Sequence, residues 1–352
     1  MKKQLIIGAI VMLALAAPAF AGGVTVAENG DSKMKIGMKS YINLTNSEVE
    51  TNGVTTARNR GFAVDRFYLW VSYQIDNIWS TKIVTDVNNE QNRTGAPGLK
   101  RNMNVFVKNA FIQGNFRPEA VVWIGLAGTP WIPYEENLWA HRFVTNTYVD
   151  GYAYDDSADF GAGLKGKFAD GMLEYHVAAI NGGGYSKPDK SDTIDVNTRL
   201  TLHPITGLDI SGGYRHGDRG TKTFGVAGTT STLAQGLISY GIDQGRLTAG
   251  YIHNNKKVGA IETLNKGFDV YGWAKLTDSV GAFARYDNEK QTVTANNVEQ
   301  RMTRYIGGLD YIYNKAVRFS LAFDHQKKTN SGNVAAQTVK TTKYGLYSQV
   351  NF

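Results

Sequence analysis

The chain of 352 residues contains no cysteine and only seven prolines. The first absence rules out disulfides, thiolate metal sites and c-type haem attachment. After Gly22 there is no run of eighteen apolar residues, so no transmembrane helix is expected. A strong charge of one sign is missing too. The formal net charge is +7, two units of which are Lys2 and Lys3 at the extreme N-terminus, too small an excess to argue for nucleic acid. What the chain has in quantity is glycine (39), tyrosine (19) and phenylalanine (15). A mean hydropathy of −0.30 fits a soluble secreted protein and fits a membrane β-barrel equally, because barrel strands are apolar only at alternate positions.

The N-terminus supplies a compartment. Lys2 and Lys3 form a basic start, residues 5–17 are apolar, and Ala19-Phe20-Ala21 is a cleavage site before Gly22. This predicts a secretory signal peptide over residues 1–21, removed on export. It would be followed by an N-terminal lead-in over 22–32 and a single barrel domain over 33–352.

Beyond that point the residues alternate. In 33–45, Met34, Ile36, Met38, Ile42 and Leu44 share one parity, and Lys35, Lys39, Tyr41 and Asn43 the other. In 316–326, Val317, Phe319, Leu321 and Phe323 oppose Arg318, Ser320, Asp324 and Gln326. The same reading places strands at 62–75, 78–87, 104–116, 119–127, 160–168, 173–179, 194–202, 208–215, 232–242, 246–254, 266–276, 279–288, 301–313 and 338–352, sixteen in all. The facing of 104–116 is ambiguous. The connections alternate between tight turns, such as Asp76-Asn77, Arg117-Pro118 and Asp243-Gln244-Gly245, and long polar segments: 46–61, 88–103, 128–159, 182–192, 216–231, 255–265, 289–300 and 327–337. Short then long is the pattern of an all-β, antiparallel up-and-down transmembrane barrel with short periplasmic turns and long external loops.

A sheet in hydrocarbon has no water to satisfy an open edge, so the last strand must pair with the first. The C-terminal stretch YGLYSQVNF, still alternating at Phe352, is therefore expected to be the closing seam. Sixteen strands are wide enough for an aqueous lumen.

Three stretches, FAVDRFYLWVSYQIDNIWSTKIVTD (62–86), KNAFIQGNFRPEAVVWIGLAGTPWIPYEE (108–136) and GAGLKGKFADGMLEYHVAAINGGGY (161–185), occur in that order and resemble the phosphate-selective porin O and P type family of Gram-negative outer membranes. The resemblance covers about residues 33–352. It implies a trimeric sixteen-stranded channel with a third loop folded into the lumen, surrounded by outer-membrane lipid and lipopolysaccharide. It also implies that the terminal Phe352 is the signal read by the barrel-assembly machinery. In the family's best-known members, basic residues of the constriction conduct anions. Here segment 128–159 departs: it carries Glu135, Glu136, Asp150, Asp155, Asp156 and Asp159 against Arg142 alone, so the channel is carried over and the phosphate filter is not.

The longest connection, 128–159, is the candidate constriction loop, with Trp131, Tyr134, Glu135, Glu136, Trp139 and Arg142 as its working residues. Its alternative reading is an external loop packed on its neighbours. The polar parity of the strands supplies the candidate pore lining: Lys35, Lys39, Arg66, Lys82, Lys165, Lys167, Arg199, Arg215, Lys275, Arg285, Arg304, Arg318 and Lys343, against Asp86, Glu174, Asp195, Asp209, Asp269, Asp287, Asp310 and Asp324. Rings of charge select ions, and this excess favours anions modestly; cross-strand pairing that merely keeps the lumen wet is the alternative.

Gly161-Ala-Gly-Leu-Lys-Gly166 fits a dinucleotide-binding fingerprint, but it lies inside a strand rather than between a strand and a helix, so no nucleotide is expected. The six histidines show no metal-ligand spacing, and there is no G-x-S-x-G. The expectation is an exported outer-membrane porin for passive diffusion of small hydrophilic solutes, weakly anion-favouring, with no cofactor and no enzymatic activity. The rivals are a substrate-selective porin for phosphate or another small oxyanion, a plugged structural or adhesin barrel, and a membrane-embedded hydrolase.

Overall fold

The computed structural model describes residues 23–89, 103–188, 190–224, 228–295, 297–332 and 335–352. The expected signal peptide, and most of the expected connection 88–103, lie outside the described residues. Strand β1 (Val24–Asn29) is short. It is followed by β2 (Ser32–Thr51), β3 (Val54–Gln74), β4 (Trp79–Asn89), β5 (Met103–Arg117), β6 (Ala120–Gly128), β7 (Ala158–Phe168), β8 (Leu173–Ile180), β9 (Asp195–Leu202) and β10 (Leu208–Gly217). The second half adds β11 (Thr229–Ile242), β12 (Gly245–Val258), β13 (Ile261–Lys275), β14 (Val280–Val293), β15 (Val298–Ile312), β16 (Val317–Ser331) and β17 (Gln337–Asn351).

From β2 to β17 each strand pairs antiparallel with the next, and β17 returns to β2 in register from Val339↔Thr51 to Asn351↔Lys39. Sixteen strands thus close on themselves, with no open edge among them. The seam is completed by Phe352, whose N–H donates to the Met38 carbonyl at 2.9 Å and whose carbonyl accepts from the Met38 N–H at 3.2 Å.

The two parities face different solvents. Leu309 (56% exposed), Leu321 (64%), Ile124 (64%) and Leu247 (62%) point outward, where their neighbours across the strands are also apolar. The alternate positions carry Asp310, Ser320, Thr248 and Arg285, all buried inside the barrel. An apolar belt on the outside of a closed sheet with a polar interior is a surface built for hydrocarbon. Ring pairs sit at the short-turn rim: Trp79 against Phe116 at 5.5 Å and Phe168 against Tyr175 at 5.6 Å. Amphipathic rings of this kind favour the membrane–water boundary.

Three differences from the sequence reading have physical causes. Several long connections are extended hairpins rather than loops. Strand β2 meets β3 through Asn52-Gly53, both at positive φ (51° and 83°), and β12 meets β13 through Gly259 (φ 58°). An Asn-Gly pair at positive φ matches the twist of the flanking strands. Counting apolar alternation missed these extensions because, beyond the belt, both faces are wet and Thr, Asn, Lys and Glu occupy both parities. Second, the segment expected as a lead-in carries β1, which pairs with β2 from Val24↔Ile36 to Asn29↔Ser32 and so continues the edge that β17 leaves at Lys39. Third, β5 was ambiguous in facing because it contains a bulge. Thr85 pairs with Val107 and Val84 with Asn109, so one residue is extra and parity changes sides within the strand.

The glycine motif lies within β7. A Cβ on Gly166 would come within 2.2 Å of the Glu119 carbonyl oxygen, and one on Gly163 within 2.5 Å of the Trp123 indole. These glycines serve close approach of a neighbouring chain segment.

Candidate functional site: the lumenal loop

Residues 129–157 leave β6 at Gly128 and re-enter the sheet at β7. The Thr129 N–H donates to the Ser157 carbonyl at 3.2 Å, which draws the two ends together. Between them lie two helical segments, α1 (Ile132–Trp139) and α2 (Tyr148–Gly151). Pro133 suits the first turn of α1, where a backbone N–H has no partner to lose, and Ala140 ends the helix in the left-handed region (φ 56°).

The loop lies inside the barrel, hydrogen-bonded to the inward faces of β9, β10 and β13–β16 and packed on those of β11 and β12. Trp139 is fully buried. Its ring meets Tyr271 at 5.4 Å and Phe283 at 5.9 Å, and the Arg285 guanidinium stands 5.5 Å from it. Around it gather the buried side chains Trp131, Ile132, Leu138, Phe143, Val144, Tyr148 and Val149 from the loop, with Leu233, Leu237, Ile252 and Ile306 from the wall. This is the apolar core of the protein. It lies between loop and wall because a barrel's interior is otherwise polar.

Polar anchors surround it. Arg285 donates to Asn146 O at 2.7 Å and is itself held by two bonds to Asp287 (2.6 and 3.0 Å). Arg304 reaches Thr145 Oγ1 at 3.0 Å, and Tyr148 donates to Glu289 at 3.0 Å. Arg199 donates to Pro130 O at 2.8 Å, and Tyr134 shares a hydrogen bond with Ser211 at 2.8 Å. Further out, Arg215 joins Asp155 of the loop (3.1 Å) to Asp195 of β9 (2.9 Å). His141 has its Nδ1 at 2.9 Å from Trp139 O and its Nε2 at 2.9 Å from Asp310, which Arg318 also contacts. Burial against Phe283 and Phe143 holds this imidazole below the usual histidine range. Glu135, 3% exposed, faces β13. Burial first, and then the Asp269 carboxylate beside it, push its carboxyl up to about 8, against the opposing pull of Arg285.

These placements divide the expected pore residues. Arg199, Arg215, Arg285, Asp86, Asp195 and Asp269 point inward as expected, but each is at most 6% exposed. Arg199, Arg215, Arg285 and Asp269 lie beneath the loop, and Asp195 is closed over by the backbone of 217–219 and tied to the loop through Arg215, so they are anchors rather than lining. Trp131, Glu135 and Trp139 are likewise sealed against the wall. Strand parity tells which side a residue faces and says nothing of what covers it. Lys35, Lys39, Lys82, Lys165, Lys343 and Tyr134 stay partly exposed to the lumen, as do Arg66, Arg304 and Arg318, while Lys167 and Lys275 are exposed at the short-turn end. Glu174 is held by Arg199 and by Lys167 (3.0 Å). Arg142 and Glu136 form an ion pair at 2.8 Å, with Asp150 at 3.3 Å from the same guanidinium.

Sequence reasoning missed Lys108, on β5, whose ammonium stands 5.4 Å from the Tyr68 ring and 4.7 Å from the Tyr185 ring. The bulge at Asn109 hid it: a reading that kept one parity throughout 104–116 faces Lys108 or Phe111 the wrong way. His141 was missed because its partner Asp310 is 169 residues distant.

No protein-family model matches the sequence, and neither does any curated protein. Solved structures do match. A trimer form of in-vitro-folded OmpT, an outer membrane protein of Vibrio cholerae, is 13% identical with a TM-score of 0.59, covering 91% of this chain and 99% of that one. The outer membrane channel DcaP of Acinetobacter baumannii is 11% identical with a TM-score of 0.64, covering 92% and 99%. An anion-selective porin from Comamonas acidovorans is 11% identical with a TM-score of 0.63, covering 91% and 100%. At such identities the likeness is one of fold.

Proposed function

We propose that the protein is a passive diffusion porin of a Gram-negative outer membrane, exported by its signal peptide, assembled as a homotrimer and weakly favouring anions. Phe352 serves its assembly, and solutes cross unchanged. The observation that carries this reading is the unequal burial of charge. Inside the barrel, the acids Asp86, Asp195, Asp269, Asp287, Glu289 and Asp310 are sealed, as are the bases Arg199, Arg215, Arg285 and Lys108, whereas Lys35, Lys39, Arg66, Lys82, Lys165, Arg304, Arg318 and Lys343 keep access to the lumen against Glu174, Asp209 and Asp324. A wall whose accessible charges are mainly positive raises the local concentration of anions. The loop narrows the passage from one side, and the polar interior keeps it wet. The trimer and anion-selective forms among the fold neighbours agree with the reading. A phosphate filter finds no support in the loop: Arg142, its single arginine or lysine, is engaged by Glu136 and Asp150.

Planar-bilayer recording across a KCl gradient tests the proposal. The expected reversal potential shows chloride preferred over potassium, and Lys82→Glu together with Arg66→Glu moves it toward potassium. A wild-type channel that prefers potassium, or a double variant with the same reversal potential, overturns the charge argument. Purified protein that opens no channel overturns the function.

A further inference from the structure

On the short-turn side of the loop's root is a cavity of about 300 Å³, at the lower end of the range for small-molecule sites. It is roofed by residues 128–137 and walled by the inward faces of β5 to β9. Its chemistry follows from strand register. Lys165 pairs directly with His176, and His176 with Arg199, so these three inward side chains form one row across β7, β8 and β9. Directly opposed side chains lie about 5 Å apart at Cβ, so the Lys165 ammonium and the Arg199 guanidinium flank the His176 ring between them.

The row is only partly compensated. The Glu174 carboxylate is spent on Arg199 and on Lys167, and among the described residues no carboxylate lies within ion-pair distance of Lys165. His176 adds a donor rather than a charge. The Trp123 indole N–H donates to His176 Nε2 at 3.0 Å. An indole N–H can only donate, so Nε2 is the acceptor nitrogen of a neutral ring and Nδ1 carries the proton. Beside the row, Phe111 and Tyr134, both partly exposed, supply apolar ring surface backed by the buried Trp123, with Tyr134 already stacked 4.1 Å under the Arg199 guanidinium.

We propose that this cavity is a solute subsite for a small organic anion with a flat apolar body, a carboxylate on an aromatic ring. The carboxylate is held by Lys165 and the His176 Nδ1–H, and the ring lies on Phe111, with Trp123 behind the His176 ring. A bare inorganic anion satisfies the cation and leaves the aromatic wall uncovered. A neutral ring covers the wall and leaves Lys165 without a counter-charge. The anion with an apolar body does both. The inference rests on the channel reading only for its consequence, that such solutes dwell beside the constriction on the short-turn side.

Benzoate and acetate are the probes, used on the full-length mature protein in two measurements. Equilibrium dialysis against protein in detergent measures binding; bilayer recording with each salt on the short-turn side measures interruption of the current. Wild type is expected to bind benzoate at least tenfold more tightly than acetate, with longer interruptions. Lys165→Met is expected to weaken both about tenfold, and Phe111→Ala to weaken benzoate while leaving acetate unchanged. Heat-modifiable migration confirms that each variant is folded. Benzoate bound no more tightly than acetate by wild type, or unaffected by Lys165→Met, overturns the subsite even in a conducting channel. Selective benzoate binding by a protein that conducts nothing sustains the subsite and overturns the channel reading instead.

Discussion

If the loop is held by its aromatic anchor, Trp139→Ala should release it without unfolding the barrel. Trp139 is fully buried, touches Tyr271 and Phe283 edge-on, and donates from its indole to Thr145 O at 3.0 Å. Truncating a buried aromatic to alanine costs about 3–5 kcal/mol, and each 1.4 kcal/mol is tenfold in an equilibrium constant. The ratio of undocked to docked loop should therefore rise by about two to three and a half orders of magnitude. The barrel itself is held by a continuous ladder from β2 to β17 to which Trp139 contributes nothing. Single-channel recording is the assay. The expected trace has a larger, noisier open current than wild type, with heat-modifiable migration on a gel retained. Trp139→Phe, which keeps most of the packing and loses the hydrogen bond, should fall between. A quiet trace of wild-type amplitude from Trp139→Ala would falsify the claim that this anchor sets the aperture, and would shift the burden to the arginine anchors at Asn146, Thr145 and Pro130.

Further outcomes follow from the same geometry. Glu135 is buried with its carboxyl raised to about 8, so its seating is most favourable when protonated: stability is full below the ordinary carboxylate range and is lost as pH rises toward and through 8. The heat-modifiable transition of wild type should thus fall in temperature between pH 6 and pH 9, while Glu135→Gln flattens the profile; parallel profiles refute it. Deleting Phe352 removes the two backbone bonds to Met38, about 1 kcal/mol each, and exposes the seam's end. Slower insertion, with unfolded protein accumulating in the periplasm, is expected in pulse-chase fractionation, and wild-type kinetics would remove Phe352 from assembly.

The strands were legible because a belt in contact with hydrocarbon tolerates few polar side chains, so apolar residues such as Leu309 and Tyr311, or Phe319 and Leu321, recur at every second position. The seam was legible for a related reason, since a spanning sheet has nowhere to leave an edge. The constriction was legible only as a length of chain. Which of its residues face water depends on pairs such as His141 with Asp310 and Tyr148 with Glu289, joined across more than a hundred residues by the curvature of the wall. No local pattern encodes that. Arg285 and Arg304 look alike in sequence, each an inward arginine two residues from an apolar one, yet Arg285 is 3% exposed and Arg304 retains access. The difference lies in what α1 and the segment after it cover.

The loop's hydrogen bonds run to β9, β10 and β13–β16, with Phe143 reaching Tyr41 of β2 at 6.2 Å, and among the described residues none runs to the inward side chains of β3 to β8. A passage narrowed mainly from one side in this way approaches a crescent rather than a circle. In a crescent the smallest dimension of a molecule decides entry, and its length hardly matters. Planar rings should slip through edgewise where compact spheres of equal mass are turned back, so sieving in this protein should rank solutes by thickness.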